Sequence, residues 1–372
     1  MLRLEEHTYR DVVEEFKYDS FNEQYNMAFL EWRRNTDSQF AFRFSDNRLE
    51  NVYVSGAAGA KQDAAIAERE ALMRCGQLIG AALLICFVAE IAGGSLIGTI
   101  FRLFHIEMHM DFLSFSMSGN QWEVVAAKML ITLMKYLLPT VLLIRVSKLP
   151  RRVFAPMKAG GASDLTAGVG AGMVISGIYA VFSVHQGIRM AQEIFTYKDT
   201  DAVVAYGIFD ALIAAALAEL FLRGTVLTLL RQFGDPFAVW ITAFIAFLFP
   251  NSLPDRFGEL LLGLSAGYLM IRTGSITACV LMRSVYSVLN YARLVALYTS
   301  RTMQLWEYAL LLISIGTLAL AFYVLRHRHA LRMSNRKIVL SEKKKCSALV
   351  LTVTMLPWLA VSVLLTLLQC FY

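Results

Sequence analysis

Charge is scarce in this sequence. Only 17% of its 372 residues are charged, while 57% are hydrophobic and mean hydropathy is +0.52. An ordinary soluble domain is about 25% charged and at most about 50% apolar, so a soluble globular protein and a disordered chain are both excluded. Cysteine is sparse and unpatterned. Cys75, Cys86, Cys279, Cys346 and Cys370 fall at unrelated spacings, which excludes a secreted disulfide scaffold and gives no zinc spacing. Cys86 and Cys279 lie in apolar runs, where a thiol acts as a small hydrophobe. No basic start followed by an apolar core opens the chain, so no secretory signal peptide is expected. The net charge of +6 comes from basic residues beside apolar blocks, the positive-inside pattern. It calls for a lipid bilayer and not for nucleic acid.

Apolar blocks dominate what is present. They cover roughly 77–101, 124–146, 164–184, 203–222, 236–250, 257–271, 275–298, 304–325 and 347–370. Most reach the roughly 20 residues that cross a hydrocarbon core, whereas 236–250 and 257–271 are short. The expected fold is all-α: a polytopic membrane helical bundle of about nine transmembrane helices. Residues 1–75 read as a cytoplasmic N-terminal segment, 76–160 as two leading helices, 161–300 as the core, and 301–372 as two trailing helices around a basic loop. Within the N-terminal segment, Asp11–Lys17 and Lys61–Met73 read as helical and Gln39–Val54 as a hairpin. Arg145, Lys148, Arg151, Arg152 and Lys158 follow the second block, and Arg326 to Lys345 precede the last. Both connections are expected in the cytoplasm, which puts the N-terminus inside and the C-terminus outside. Lys128 and Lys135, seven apart, share one helix face that is expected to meet other helices or to snorkel. Gly168, Gly170, Gly172, Gly177 and the pair Gly263/Gly267 would let helices approach closely.

Ionisable groups inside membrane spans are the default candidates for function. Glu219 and Arg223 are four apart and face one another on a helix. Phe247-Leu248-Phe249-Pro250-Asn251-Ser252 closes the short fifth block. Thr273-Gly274-Ser275 precedes Arg283, Ser287 and Asn290, whose spacing of four and three makes one polar stripe. His105, Glu107, His109 and Asp111 alternate, as metal ligands on a strand would. No strand is otherwise signalled there, so they read as a wet loop beside the membrane, and no metal is expected.

The series over roughly residues 164–295 resembles the CAAX prenyl protease and bacteriocin-processing (CPBP, or Abi) family of glutamate-type intramembrane proteases. Its order and spacing follow that family's motifs, including the Arg-Gly pair at Arg223-Gly224 and the Thr-Gly-Ser turn. The resemblance implies a CPBP-like core and a first glutamate and two histidines around an attacking water. Ala218 stands at that glutamate's position, Asn251 at the first histidine's and Arg283 at the second's, with Ser287 four beyond it. Glu219 falls at the second glutamate. A general base must lose and regain a proton near working pH. Alanine has no such group, an amide does not titrate and a guanidinium stays protonated. Glu219, with Arg223 and Arg283 competing for it, is the residual candidate; a one-residue step turns a helix by about 100° and is expected to aim it away from the hydrolytic position.

The function expected is therefore non-catalytic: a pseudoprotease that binds a membrane protein or peptide partner as adaptor or assembly subunit. Glu219, Arg223, Asn251, Arg283, Ser287 and Asn290 would line or lock the former cavity. The alternative is a residual intramembrane peptidase working through Glu219. A plain ion cluster holding helices together is compatible with the first reading. Family resemblance implies roles such as bacteriocin maturation and immunity, prenyl-protein processing or sensor-kinase regulation, no cofactor, and a bacterial inner membrane.

Overall fold

The computed structural model describes residues 20–34, 38–40, 56–105, 109–111, 116–157, 161–183, 200–249, 253–299, 302–327, 333 and 340–371. The segment Asp11–Lys17 and nearly all of Gln39–Val54 lie outside them. Twelve helices follow in order: α1 (Glu23–Arg34), α2 (Gly56–Leu103), α3 (Gln121–Ser147), α4 (Arg151–Phe154), α5 (Ala162–Phe182), α6 (Thr200 to Arg231), α7 (Asp235–Leu248), α8 (Leu253–Thr273), α9 (Ile276–Thr299), α10 (Thr302–His327), α11 (Glu342–Val350) and α12 (Met355–Phe371). The helix expected at Lys61–Met73 is the first part of α2, which runs without a break into the first apolar block. Between α2 and α3, His109–Asp111 pairs antiparallel with Ser116–Ser118. The alternation read as a loop is thus a two-stranded hairpin in part, because period-two spacing suits a strand.

Every one of the nine apolar blocks falls within or mostly within a helix. Among the described residues, five stretches are long and apolar enough to cross a membrane: Ala65–Leu103, Gln121–Ser147, Ala162–Phe182, Asp201–Arg231 and Leu305–His327. A sixth is added if α11 and α12, bent by 89° at their junction, form one broken span. α7 is short at 14 residues, while α8 and α9 carry charged and polar side chains along apolar helices. The chain is a multi-pass helical membrane protein; against about nine expected crossings, the described residues hold five or six helices long and apolar enough to span.

α5 is the central strut, and its small residues explain why. A Cβ added at Gly168 or Gly172 would come within 2.7 Å of the carbonyl oxygens of Ala278 and Met282 on α9. At Gly170 and Gly177 it would come within 2.8 Å and 2.7 Å of Ala319 and Ile313 on α10. Gly263 likewise abuts the Ala243 backbone of α7. The glycines are packing surfaces, the close approach that small residues allow between membrane helices.

α1 docks across one end of the bundle. Phe21 N–H donates to the Arg272 carbonyl at 2.8 Å and Asn22 Nδ2 to that of Gly274 at 3.1 Å, while Trp32 Nε1 reaches the Ser147 carbonyl at 3.1 Å. Gly274 turns there at φ 58°, with Ser20, Asn22 and Tyr25 within 3 Å of where a Cβ would stand. Left-handed backbone and crowding both require glycine. His327, at the end of α10, stacks on Phe21 with centroids 4.8 Å apart. Both basic connections therefore begin at the end that α1 covers.

Candidate functional site

α6 is wound unevenly. Thr200–Phe209 is α-helical, Asp210–Ala214 is π-helical, Ala215–Glu219 is α-helical, Leu220–Leu227 is π-helical again, and Thr228–Arg231 ends the helix. π segments, with i to i+5 bonds, are rare and concentrate at functional sites. Here they bracket Glu219. Glu219 faces Arg283 on α9, one of the two arginines expected to compete for it.

Three helices bring four charges together. Arg283 Nε donates to Glu219 Oε1 at 2.6 Å. Its two terminal nitrogens clasp Glu259 of α8, Nη1 to Oε1 at 2.7 Å and Nη2 to Oε2 at 2.6 Å. This fork-on-fork geometry is the strong, directional form of an arginine–carboxylate pair. Arg223 Nε stands 3.3 Å from Glu219 Oε2, within ion-pair range though not aligned as a hydrogen bond. Glu219 and Arg223 side chains are 0% exposed, Arg283 11% and Glu259 18%. The cluster thus has a sealed floor at Glu219 and a rim at Glu259. Two acids against two cations leave it neutral, which is how four charges persist away from water.

The polar stripe of α9 continues along its axis. The Ser287 hydroxyl donates to Asp210, Ser176 of α5 donates to Asn290 Oδ1 at 3.2 Å, and Arg293 donates to Ser183 of α5. Tyr179 of α5 donates to Asp255 of α8, and Arg293 lies over the Tyr179 ring at 4.5 Å. Of the residues singled out in the sequence, Glu219, Arg223 and Arg283 meet directly, whereas Ser287 and Asn290 hold neighbouring links. Ala218 is buried at 2% exposure; Asn251 lies outside the described residues. Lys135 turns to α2 and pairs with Glu90 at 3.0 Å, while Lys128 on the same face is exposed.

Sequence reasoning missed Glu259, Asp210 and Arg293. Each is ionisable within an apolar block, the same signal that singled out Glu219, and Arg293 prolongs the stripe by one helical step beyond Asn290. Among the described residues, no three His, Cys, Asp or Glu side chains gather as a metal site would need. His105 sits exposed after α2, and His327 sits with Phe21 and Asp164 at the α1 end.

The chemical content of the cluster follows from its occupancy. One oxygen of the Glu219 carboxylate is engaged by a permanently protonated guanidinium, and the other lies beside a second. A general base needs a lone pair free to take a proton, and here both carboxylate oxygens face guanidinium groups.

No curated protein and no solved structure matches the chain. Residues 200–289, which carry Asp210, Glu219, Arg223, Glu259, Arg283 and Ser287, match the family model described as "Rce1-like: Type II CAAX prenyl endopeptidase Rce1-like". From α6 into α9, this membrane protein is similar to the Rce1-like family of type II CAAX prenyl endopeptidases.

Proposed function

We propose that the chain is a non-catalytic CPBP-like membrane protein, a pseudoprotease that holds a membrane protein or peptide partner as an adaptor or assembly subunit. The observation that carries this reading is the 2.6 Å contact between Arg283 Nε and a fully buried Glu219. It occupies the one carboxylate that stands next to the expected catalytic position, and it does so with a group that cannot accept a proton. Ala218, Asn251 and Arg283 supply no other base by their chemistry. Both basic connections start at the end that α1 covers, which supports a cytoplasmic N-terminus by the positive-inside rule. On the family's pattern we assign the protein to a bacterial inner membrane; from a cytoplasmic N-terminus, an odd number of crossings puts the C-terminus outside.

The decisive assay offers prenylated peptides and leader peptides to the purified full chain and to Glu219→Gln. Neither protein should cleave above the buffer rate. Cleavage by the wild type that drops 100-fold or more in Glu219→Gln, the lower end of what acid–base catalysis supplies, would overturn the reading and establish the residual peptidase instead.

A further inference from the structure

The exposed face of α3 changes character along one stripe. Leu137 and Val141, with Leu138 beside them, are 46–48% exposed on a helix long and apolar enough to cross the membrane. Steps of four, four and three residues lead from Leu137 through Val141 to Arg145 and Lys148, so all four lie on one helix face. Arg145 and Lys148 are exposed too, as are Arg151 and Arg152 in α4. Four cations thus stand within eight residues, and no acid occurs in the chain between Glu123 and Asp164. Among the described residues their side chains form no ion pair, and Arg151 Nη2 reaches Met157 Sδ at 3.9 Å.

The corner that carries these charges is fixed. Leu149 and Val153 sink between the cations into the core. The Ser147 carbonyl receives both Trp32 Nε1 at 3.1 Å and Ser38 Oγ at 2.9 Å, so the α1 segment braces the end of α3. The Phe154 carbonyl fills the space that a Gly224 side chain would need, and Ile276 N–H donates to the Pro156 carbonyl at 3.2 Å. α4 and the residues after it are thereby held against α6 and α9. Lys148 caps α3 in left-handed backbone at φ 53°, a place where glycine is usual. Cations carried on an ordered backbone leave only side-chain freedom to lose when an anion arrives.

The stripe also gives the ligand its shape. Leu137 to Arg145 is about 12 Å along the axis at 1.5 Å per residue, close to the roughly 15 Å of hydrocarbon in one leaflet. A free phosphate would use the cations and leave the apolar stripe untouched, and a neutral lipid would do the reverse. A phospholipid with a negatively charged headgroup matches both.

We propose that Arg145, Lys148, Arg151 and Arg152 form a headgroup site for an anionic phospholipid in the leaflet at the α1 end, with its acyl chains along Leu137, Leu138 and Val141. The site stands whether or not the Glu219 cluster is catalytic. Its test is lipid retention by the purified full chain, read by native mass spectrometry after incubation with equal amounts of phosphatidylglycerol and phosphatidylcholine of matched acyl chains. Phosphatidylglycerol should be retained at least tenfold over phosphatidylcholine. Arg145→Gln, Lys148→Gln, Arg151→Gln and Arg152→Gln together should bring that ratio to threefold or less. Removing as much charge elsewhere, from the exposed Arg69, Arg74, Lys343 and Lys344 by the same change to Gln, should leave it unchanged. Equal retention of the two lipids by the wild type overturns the proposal, as does a ratio that falls no further in the corner variant than in the other. Glycerol phosphate in tenfold excess should not displace the lipid, and displacement would overturn the proposal in favour of a plain anion site. Should the fourfold corner variant fail to insert, Arg145→Gln with Lys148→Gln serves instead: its ratio should fall threefold or more, and an unchanged ratio overturns the proposal.

Discussion

α6 and its C-terminal junction carry the same local device twice, in two different settings. Glu219 and Arg223 are paired at four residues' spacing, as are Arg231 and Asp235, and all four side chains are 0% exposed. Near the α1 end, Arg231 Nε meets Asp235 Oδ1 at 3.1 Å, and its guanidinium lies 5.0 Å from the rings of both Tyr25 and Phe29. One acid, one cation and two aromatic faces close that pair as a latch for α1. At the other position, among the described residues, no ring covers Arg223, its three guanidinium nitrogens make no hydrogen bond, and its acid is shared with Arg283 from α9. An i, i+4 ion pair is only a building block. What surrounds it decides whether it fastens a segment or feeds a network.

That contrast can be broken by substitution. The largest effect is expected at Arg283→Leu, which strips Glu259 of its clasp and leaves Glu219 with Arg223 alone. Removing one partner of a buried pair typically costs about 3–5 kcal/mol, and unfolding in mixed micelles with rising SDS would read it. An effect no larger than that of Glu219→Gln would show that Arg283 is not the hub. Next comes Phe29→Ala, expected to lose about 3 kcal/mol from a fully buried ring. It should release the α1 segment to protease while leaving the further loss caused by Arg283→Leu unchanged, and non-additive losses would merge the two regions. Glu219→Gln should cost about 2 kcal/mol, the scale of a hydrogen bond to a charged group, because Glu259 continues to hold Arg283. The smallest effect is expected at Ser176→Ala, about 1 kcal/mol for one neutral hydrogen bond to Asn290. A larger loss would place the α5–α9 link inside the charged network.

Much of this was legible from residues alone, for reasons that are local. The Glu219/Arg223 pair, the Arg283–Ser287–Asn290 stripe and the glycines of α5 follow from helical spacing, which the chain states directly. Glu259 was legible in principle as a lone acid in an apolar block, but its role depends on α8 approaching α9, and no spacing within one helix encodes that. The π segments on either side of Glu219 left no sequence signal. Asn251 lies outside the described residues, so the chemistry assigned to it rests on its amide alone.

The elbow between α11 and α12 has a consequence for biogenesis. A Cβ at Gly80 on α2 would come within 2.5 Å of Met355 N and of Thr354 Oγ1, and Thr354 donates to the Gln77 carbonyl at 2.7 Å. The notch at Gly80 is synthesised some 270 residues before the elbow that fills it. During translation it stands vacant toward lipid or the insertion machinery until the tail emerges, so seating the elbow is a late step of assembly. Chains halted before Met355 should reach the bilayer with α2 inserted and that notch unfilled.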